Sequence, residues 1–170
     1  MSATMQPVGK SDILARAEAA AATVVDPEIP VLTIADLGVL RAVRIARDGK
    51  VEVEITPTYS GCPAMATIAL EIELALAKAG IEATRVVTVL APAWSTDWMS
   101  PEGRRKLQDY GIAPPLKNTG RRGLFGIDAV ACPRCGSAHT ERLAEFGSTA
   151  CKALWRCLDC REPFDHFKCH

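Results

Sequence analysis

The chain has 170 residues, with 20 basic and 20 acidic side chains, so its formal net charge is zero. That balance removes a general electrostatic pull onto nucleic acid or an anionic membrane, and no apolar run approaches the length of a bilayer span. A hydrophobic share of 48% supports a real core, and the length suits one ordinary domain plus a small module. The N-terminus lacks a basic segment followed by an apolar stretch, so no signal peptide is expected. Seven cysteines, several in close pairs, then read as reduced thiols of a cytoplasmic protein, mostly metal ligands.

Residues 1–10 read as a tail. Ser11 is the expected cap of a helix to about Val24, with Ile13, Leu14, Ala17, Ala21 and Val24 on one side. The prolines of Asp26-Pro27-Glu28-Ile29-Pro30 forbid its continuation. Arg41–Arg47 alternates like a strand, Asp48-Gly49 suits a two-residue hairpin turn, and Val51, Val53 and Ile55 continue the alternation. After Thr56-Pro57-Thr58-Tyr59-Ser60-Gly61-Cys62-Pro63, the proline suits the first helical position and places Cys62 at the N-cap. The helix carries Met65, Ile68, Ala69, Ile72 and Leu76 at helical spacing and stops at Gly80. Val86–Leu90 is a third strand, and Ser100-Pro101-Glu102 opens a short helix ending at Gly111.

Beyond Gly111 the composition turns to Pro, Gly, Lys and Arg, a linker from which Leu124, Phe125 and Ile127 could dock back. The segmentation is an α/β domain at 11–110, a linker at 111–128 and a ribbon at 129–170. The fold class is α/β (α+β): a small mixed three-stranded sheet with packed helices, plus a C-terminal β zinc ribbon.

The ribbon rests on Cys132-Pro-Arg-Cys135-Gly136 and Cys157-Leu-Asp-Cys160. Two C-x-x-C knuckles one hairpin apart can set four thiolates at the corners of a tetrahedron, the ligand set of a structural Zn2+. So short a segment has little core and needs such a staple. Gly136 can take positive φ, whereas Arg161 stands where ribbons often carry glycine. A scaffolding zinc is preferred over an iron–sulfur cluster in the same square. Lys152, Arg156, Arg161 and Lys168 are balanced by nearby acids, which speaks against nucleic-acid binding.

Three cysteines remain: Cys62, Cys151 and Cys169. Cys151 precedes Cys157 by six residues on an expected strand. At about 3.3 Å per residue the two sulfurs lie roughly 20 Å apart, too far to share a metal. If 162–168 runs back antiparallel, Cys169 returns near Cys151 with His170, and His166, close by. The plainer reading is a half-buried cysteine and a frayed end. Cys62, at a helix N-terminus, is expected to favour the thiolate; the alternative is a small capping residue. Asp26 and Glu28 could give it oxygen ligands or a base, or be merely solvated. Trp94 and Trp98, set among polar Ser95, Thr96 and Asp97, read as a docking rim, against the plainer reading of a closed core edge. His139 reads as a surface residue.

Together, Asp26-Pro-Glu-Ile-Pro30, Asp36-Leu-Gly38, Thr56–Pro63, Pro92–Met99, the run Phe146–Lys152 and the run Glu162–His170 resemble the PaaD (PaaJ) family, the D proteins of the phenylacetyl-CoA 1,2-epoxidase system of phenylacetate degradation. The first domain alone is similar to a wider group that includes SufT and the cytosolic iron–sulfur targeting factors. The resemblance implies a small α/β fold and a role in delivering iron–sulfur clusters, with the signature cysteine at Cys62 and the Asp-Pro-Glu motif at Asp26–Glu28. It implies a partner in the monooxygenase complex, most directly its iron–sulfur reductase, and a transient cluster or iron as cargo. No Glu-x-x-His pairs are present to hold a di-iron centre, so the chain is read as not an enzyme. The leading expectation is a maturation factor with labile thiols Cys62, Cys151 and Cys169, supported by Asp26, Glu28 and His170. The alternative is a non-catalytic structural or interaction subunit with zinc alone. A thiol enzyme is a third reading, and it lacks a histidine base in the first domain.

Overall fold

The computed structural model describes residues 9–115 and 130–168. Helix α1, Lys10–Ala22, turns Ala17 and Ala21 inward, and these small residues let it lie close to the layer beneath. The helix begins before Ser11, which lies inside it: the Gly9 carbonyl accepts from the amides of Asp12 and Ile13 instead. The segment from Val25 to Val39 has little regular structure yet buries Ile29, Leu32, Ile34, Leu37 and Val39. It can do so because its polar groups are spoken for locally. Asp26 Oδ1 accepts the amides of Glu28 and Ile29, both at 2.8 Å.

Strands β1, Leu40–Ile45, and β2, Val51–Ile55, pair antiparallel. Their connection is a longer loop than two residues. The Ala46 amide donates to the Lys50 carbonyl at 2.8 Å, and Gly49 takes φ 84, the left-handed residue of a three-residue hairpin loop. Helix α2, Ala64–Lys78, crosses over to β3, Thr84–Thr88, which lies parallel to β2 and two residues earlier than the sequence pattern suggests. The buried stripe of α2 is Ala64, Ile68, Ile72 and Leu76, one residue every four. The sheet is the mixed three-stranded one expected, in the order β1-β2-β3. On it, Glu52 is clamped by Arg85 and Arg44, each at 2.5 Å, and Arg85 foremost holds its carboxyl below the usual range.

Helix α3, Pro101–Tyr110, is capped by Ser100 Oγ, which accepts the Gly103 amide at 2.8 Å. The helix is sewn to the Asp36 loop: Ser100 Oγ and Lys106 Nζ donate to the Asp36 carboxylate at 3.2 and 2.7 Å. A side chain at Gly103 would put its Cβ 2.8 Å from the Asp36 carbonyl oxygen, so glycine is required there.

Just past α3, Ile112–Ala113 form a short strand, β4, which pairs parallel with β7, Pro163–Phe167. With β5, Thr140–Ala144, and β6, Lys152–Cys157, they make a four-stranded sheet ordered β4-β7-β6-β5. The start of the expected linker is thus sheet, because Ile112 and Ala113 find an open edge on the ribbon. Leu124, Phe125 and Ile127 lie outside the described residues. The ribbon has its own small core around Ala153, Trp155 and Phe164, while Cys151 and Phe167 belong to the core of the first domain. Phe167 packs edge-on against Trp94, centroids 5.9 Å apart, so the ribbon is seated on the α/β domain rather than tethered to it.

Candidate functional site

The four knuckle cysteines come together as their spacing demands. All four sulfurs lie within 4.8 Å of one another, with Cys132 Sγ 3.8 Å from Cys160 Sγ and Cys135 Sγ 3.5 Å from Cys157 Sγ. A tetrahedron with Zn–S bonds of about 2.3 Å has edges of about 3.8 Å, so this donor set fits a zinc-sized cation. Each knuckle turns on a positive-φ residue, Gly136 at 74° and Arg161 at 64°. Backbone amides then point at sulfur. Those of Cys160 and Asp159 bring the Cys157 thiol down to about 7, and those of Ser137 and Glu162 face Cys135 and Cys160, whose thiols the neighbouring sulfurs nonetheless push up. Amide donors to sulfur favour the thiolate that a metal requires. His139 sits at the surface, its Nδ1 3.1 Å from Asp159, outside the square.

A second gathering of sulfur and oxygen lies at the other end of the ribbon, on the seam with the first domain. Cys151, 4% exposed, opens β6 and donates its thiol hydrogen to Glu28 Oε2 at 3.5 Å, with Thr149 Oγ1 at 3.1 Å. Cys62 is half-buried, and the Tyr59 hydroxyl is its hydrogen-bond donor. Asp26, itself buried, fixes the Glu28 turn and faces the buried ammonium of Lys152 from the ribbon. The Asp-Pro-Glu loop, the Thr56–Pro63 loop and the first residues of β6 therefore converge, and a cleft of about 230 Å³ lined by Pro57, Tyr59, Leu90 and Trp94 opens beside them. Among the described residues, only the four-cysteine square has three or more possible metal donors within 4.8 Å of one another, so the seam donors are neighbours without being closed into a cage.

Several expectations change here. Helix α2 begins at Ala64 with Pro63 as its cap, so Cys62 stands one residue farther out, although the Ala64 amide still reaches its sulfur. The expected thiolate preference does not hold. Burial pushes the Cys62 thiol up, the Glu28 and Asp26 carboxylates add to this, and the Ala64 amide and Tyr59 only partly oppose them. Cys151 is pushed from 9.0 to about 11, first by burial and then by the same carboxylates. Both thiols hold their protons until something positive arrives.

Trp94 lies in the core rather than on an outer rim. It is 6% exposed, its Nε1 donates to the Leu37 carbonyl at 2.9 Å, and its ring meets Phe167. Trp98 is half-buried beneath the Arg41 guanidinium, 3.5 Å from the ring centroid. Polar neighbours in the loop led outward, but each indole found a partner. The returning strand sets the Lys168 amide on the Cys151 carbonyl at 2.9 Å, while Cys169 and His170 lie outside the described residues. His166 packs edge-on against Trp155, centroids 6.0 Å apart. The seam also holds Tyr59, Thr149 and Lys152, none of them expected there from the sequence. Tyr59 had a signal, three residues before Cys62 in the same motif; Lys152 had none beyond adjacency to Cys151.

A small α/β domain whose cysteine loop faces a docked four-cysteine ribbon is the class defined by this fold and site. Residues 14–91 match the iron–sulfur cluster assembly protein family, and residues 117–168 match the PaaD zinc beta ribbon domain. The D component of the "Putative 1,2-phenylacetyl-CoA epoxidase" of Escherichia coli (strain K12) is 53% identical over 144 residues, covering 85% of this chain and 86% of that protein. The "Fe-S protein maturation auxiliary factor" of Porphyromonas gingivalis is 35% identical over 86 residues, 50% of this chain and 81% of the relative. The crystal structure of a domain of unknown function, DUF59, from Bacillus anthracis superposes with a TM-score of 0.52 at 25% identity, covering 58% of this chain and 93% of that one. The chain belongs to the PaaD family, the D proteins of phenylacetyl-CoA epoxidase systems. Among the described residues no helix is long and apolar enough to cross a membrane.

Proposed function

We propose that this chain is a cytoplasmic, non-catalytic maturation factor of the phenylacetyl-CoA epoxidase system. It takes up iron or an iron–sulfur cluster at the seam and passes it to the iron–sulfur reductase component, while the square of Cys132, Cys135, Cys157 and Cys160 holds zinc permanently as scaffold. The observation that carries this reading is the convergence of Cys62, Glu28 and Cys151 from three separate segments onto one partly open site. The relatives named for iron–sulfur maturation and for the epoxidase support the two halves of the reading. Cys169 and His170 follow Lys168 directly in the chain and are proposed as further donors. Among the described residues, burial first and then the Glu28 and Asp26 carboxylates push the Cys62 thiol up, which does not favour it as a nucleophile.

Protein isolated without oxygen, or reconstituted with iron and sulfide, is expected to show thiolate-to-iron absorption that Cys62→Ser diminishes while zinc stays bound. Cells carrying Cys62→Ser should lose epoxidase activity; full activity in those cells would sink the maturation reading. The interaction-subunit alternative draws on a different observation. Leu70 and Leu74, four apart on α2, are 54% and 44% exposed, an outward apolar stripe better suited to docking than the buried Trp94. Stable co-purification with the oxygenase, with no need for Cys62, would favour it.

A further inference from the structure

The four-sulfur square is unevenly shielded. Cys132 and Cys157 are fully buried, whereas Cys135 and Cys160, one on each knuckle, are exposed. Each outward sulfur faces a buried one across the knuckles: Cys135 Sγ lies 3.5 Å from Cys157 Sγ, and Cys160 Sγ lies 3.8 Å from Cys132 Sγ. We infer that the square is a modification site for hydrogen peroxide, where each outward cysteine is oxidised and closes a disulfide onto the buried cysteine opposite, releasing the metal. This rests on the proposed zinc scaffold and confines its permanence to reducing conditions.

As metal ligands the sulfurs are thiolates, the form that attacks peroxide. The Cys135 thiolate attacks one peroxide oxygen, the O–O bond breaks, hydroxide leaves and a sulfenic acid forms. The Cys157 thiolate then attacks the Cys135 sulfur, the S–O bond breaks and a second hydroxide leaves. The two sulfurs together give up two electrons, which reduce one peroxide. Cys160 and Cys132 react in the same way with a second peroxide. Sulfurs in a disulfide stand about 2 Å apart, so each pair has to close by less than about 2 Å. Hydrogen bonds that do not involve the metal hold the knuckles together for that step. The Leu158 amide donates to the His139 carbonyl at 2.9 Å, and Ser137 Oγ donates to the Asp159 carboxylate, which also lies 3.1 Å from His139 Nδ1. Because these bonds run from one knuckle to the other, they favour closure across the knuckles over closure within a C-x-x-C pair. Strand β6 joins this end of the ribbon to the seam, where Cys151 is 4% exposed and Cys62 is half-buried. Oxidant therefore meets the outward scaffold sulfurs before the seam thiols.

The test adds hydrogen peroxide to the zinc-loaded full chain beside a chromogenic zinc chelator too weak to strip the reduced protein. The whole zinc content is expected to reach the chelator. Mass-spectrometric peptide mapping should then find Cys135 joined to Cys157 and Cys132 joined to Cys160, and thiol reductant with added zinc should restore the metal. Cys62→Ser leaves the square intact, so it should release zinc at the rate of the natural chain. Zinc retained while Cys62 or Cys151 oxidises overturns the inference. So do bonds confined to the C-x-x-C pairs, sulfonic acids that no thiol reverses, and a release rate that falls in Cys62→Ser. Each of those results leaves the zinc scaffold standing. A folded chain isolated under reducing conditions without zinc overturns the scaffold and the peroxide response together.

Discussion

The two ends of the ribbon surround sulfur with different partners. At the knuckle end four sulfurs lie within 4.8 Å, and backbone amides face those of Cys135, Cys157 and Cys160; Cys157 is pushed down, while neighbouring sulfurs push Cys135 and Cys160 up. At the seam end two thiols are pushed up first by burial and then by the carboxylates beside them. The first arrangement is built from a single short stretch of chain and commits its donors to a metal. The second is assembled across domains and commits its donors to hydrogen bonds. On the proposed function, permanence and lability would come from what surrounds sulfur, since the element is the same at both ends.

The largest effect should follow from emptying the square. Zinc bound by a small module contributes about 10–16 kcal/mol of apparent folding energy. Chelation, or Cys157→Ser, is expected to release metal and melt the ribbon. Because Cys151 and Phe167 ride on the same strands into the first-domain core, the seam should open with it. Metal analysis alongside amide exchange of residues 151–155 reads both. A ribbon that stays protected after losing its metal would break the comparison at its base.

Next is Phe167→Ala, which cuts the seam without touching the square. Removing a fully buried phenylalanine typically costs about 3–5 kcal/mol, and this one lies in the core of the other domain. Denaturant melts should show the first domain losing stability while zinc content holds. If only the ribbon is weakened, the seating described here is not energetically real.

How much of this could be read before the fold was known divides along the same line. The square was legible because its ligands are local: two C-x-x-C pairs and a hairpin fix sulfur positions to within ångströms. The sheet was legible because alternation and a crossover helix leave few topologies. The seam was not. That Cys151 would face Glu28 depends on how one domain seats on another, and no periodicity records it. Cys62 was read from its own helix, whose dipole favours a thiolate, but burial and two carboxylates from a different loop outweigh that local preference. The polar neighbours of Trp94 suggest an outward position, while its indole answers to Leu37 and Phe167.

The seam also depends on the irregular segment that carries Glu28, and Asp36 is that segment's tie to α3. Burial would raise the Asp36 carboxyl, but the Lys106 ammonium and Thr33 outweigh it and hold it below its ordinary 3.8. A carboxyl lowered on folding stabilises fully above 3.8, and the gain drains away as pH falls through the lower folded value. Asp36→Asn should therefore cost about 1–3 kcal/mol near neutrality, the range for a hydrogen-bonded charged group. The gap from the natural chain should shrink in acid below 3.8. A gap that stays constant with pH would mean the carboxylate charge contributes nothing and only its shape matters.

The smallest effect is the sharpest contrast. Cys62→Ser exchanges sulfur for oxygen at a half-buried loop position whose Tyr59 and Ala64 donors a hydroxyl can also serve. Its effect on stability should stay near or below about 1 kcal/mol, the centre of the range for single substitutions. The same substitution at Cys157 removes a corner of the square and should unfold the ribbon. Thermal melts of the two variants, run with zinc present, compare like with like. If Cys62→Ser destabilises as strongly as Cys157→Ser, then Cys62 is structural too, and the seam holds its sulfur for the fold rather than for a cargo.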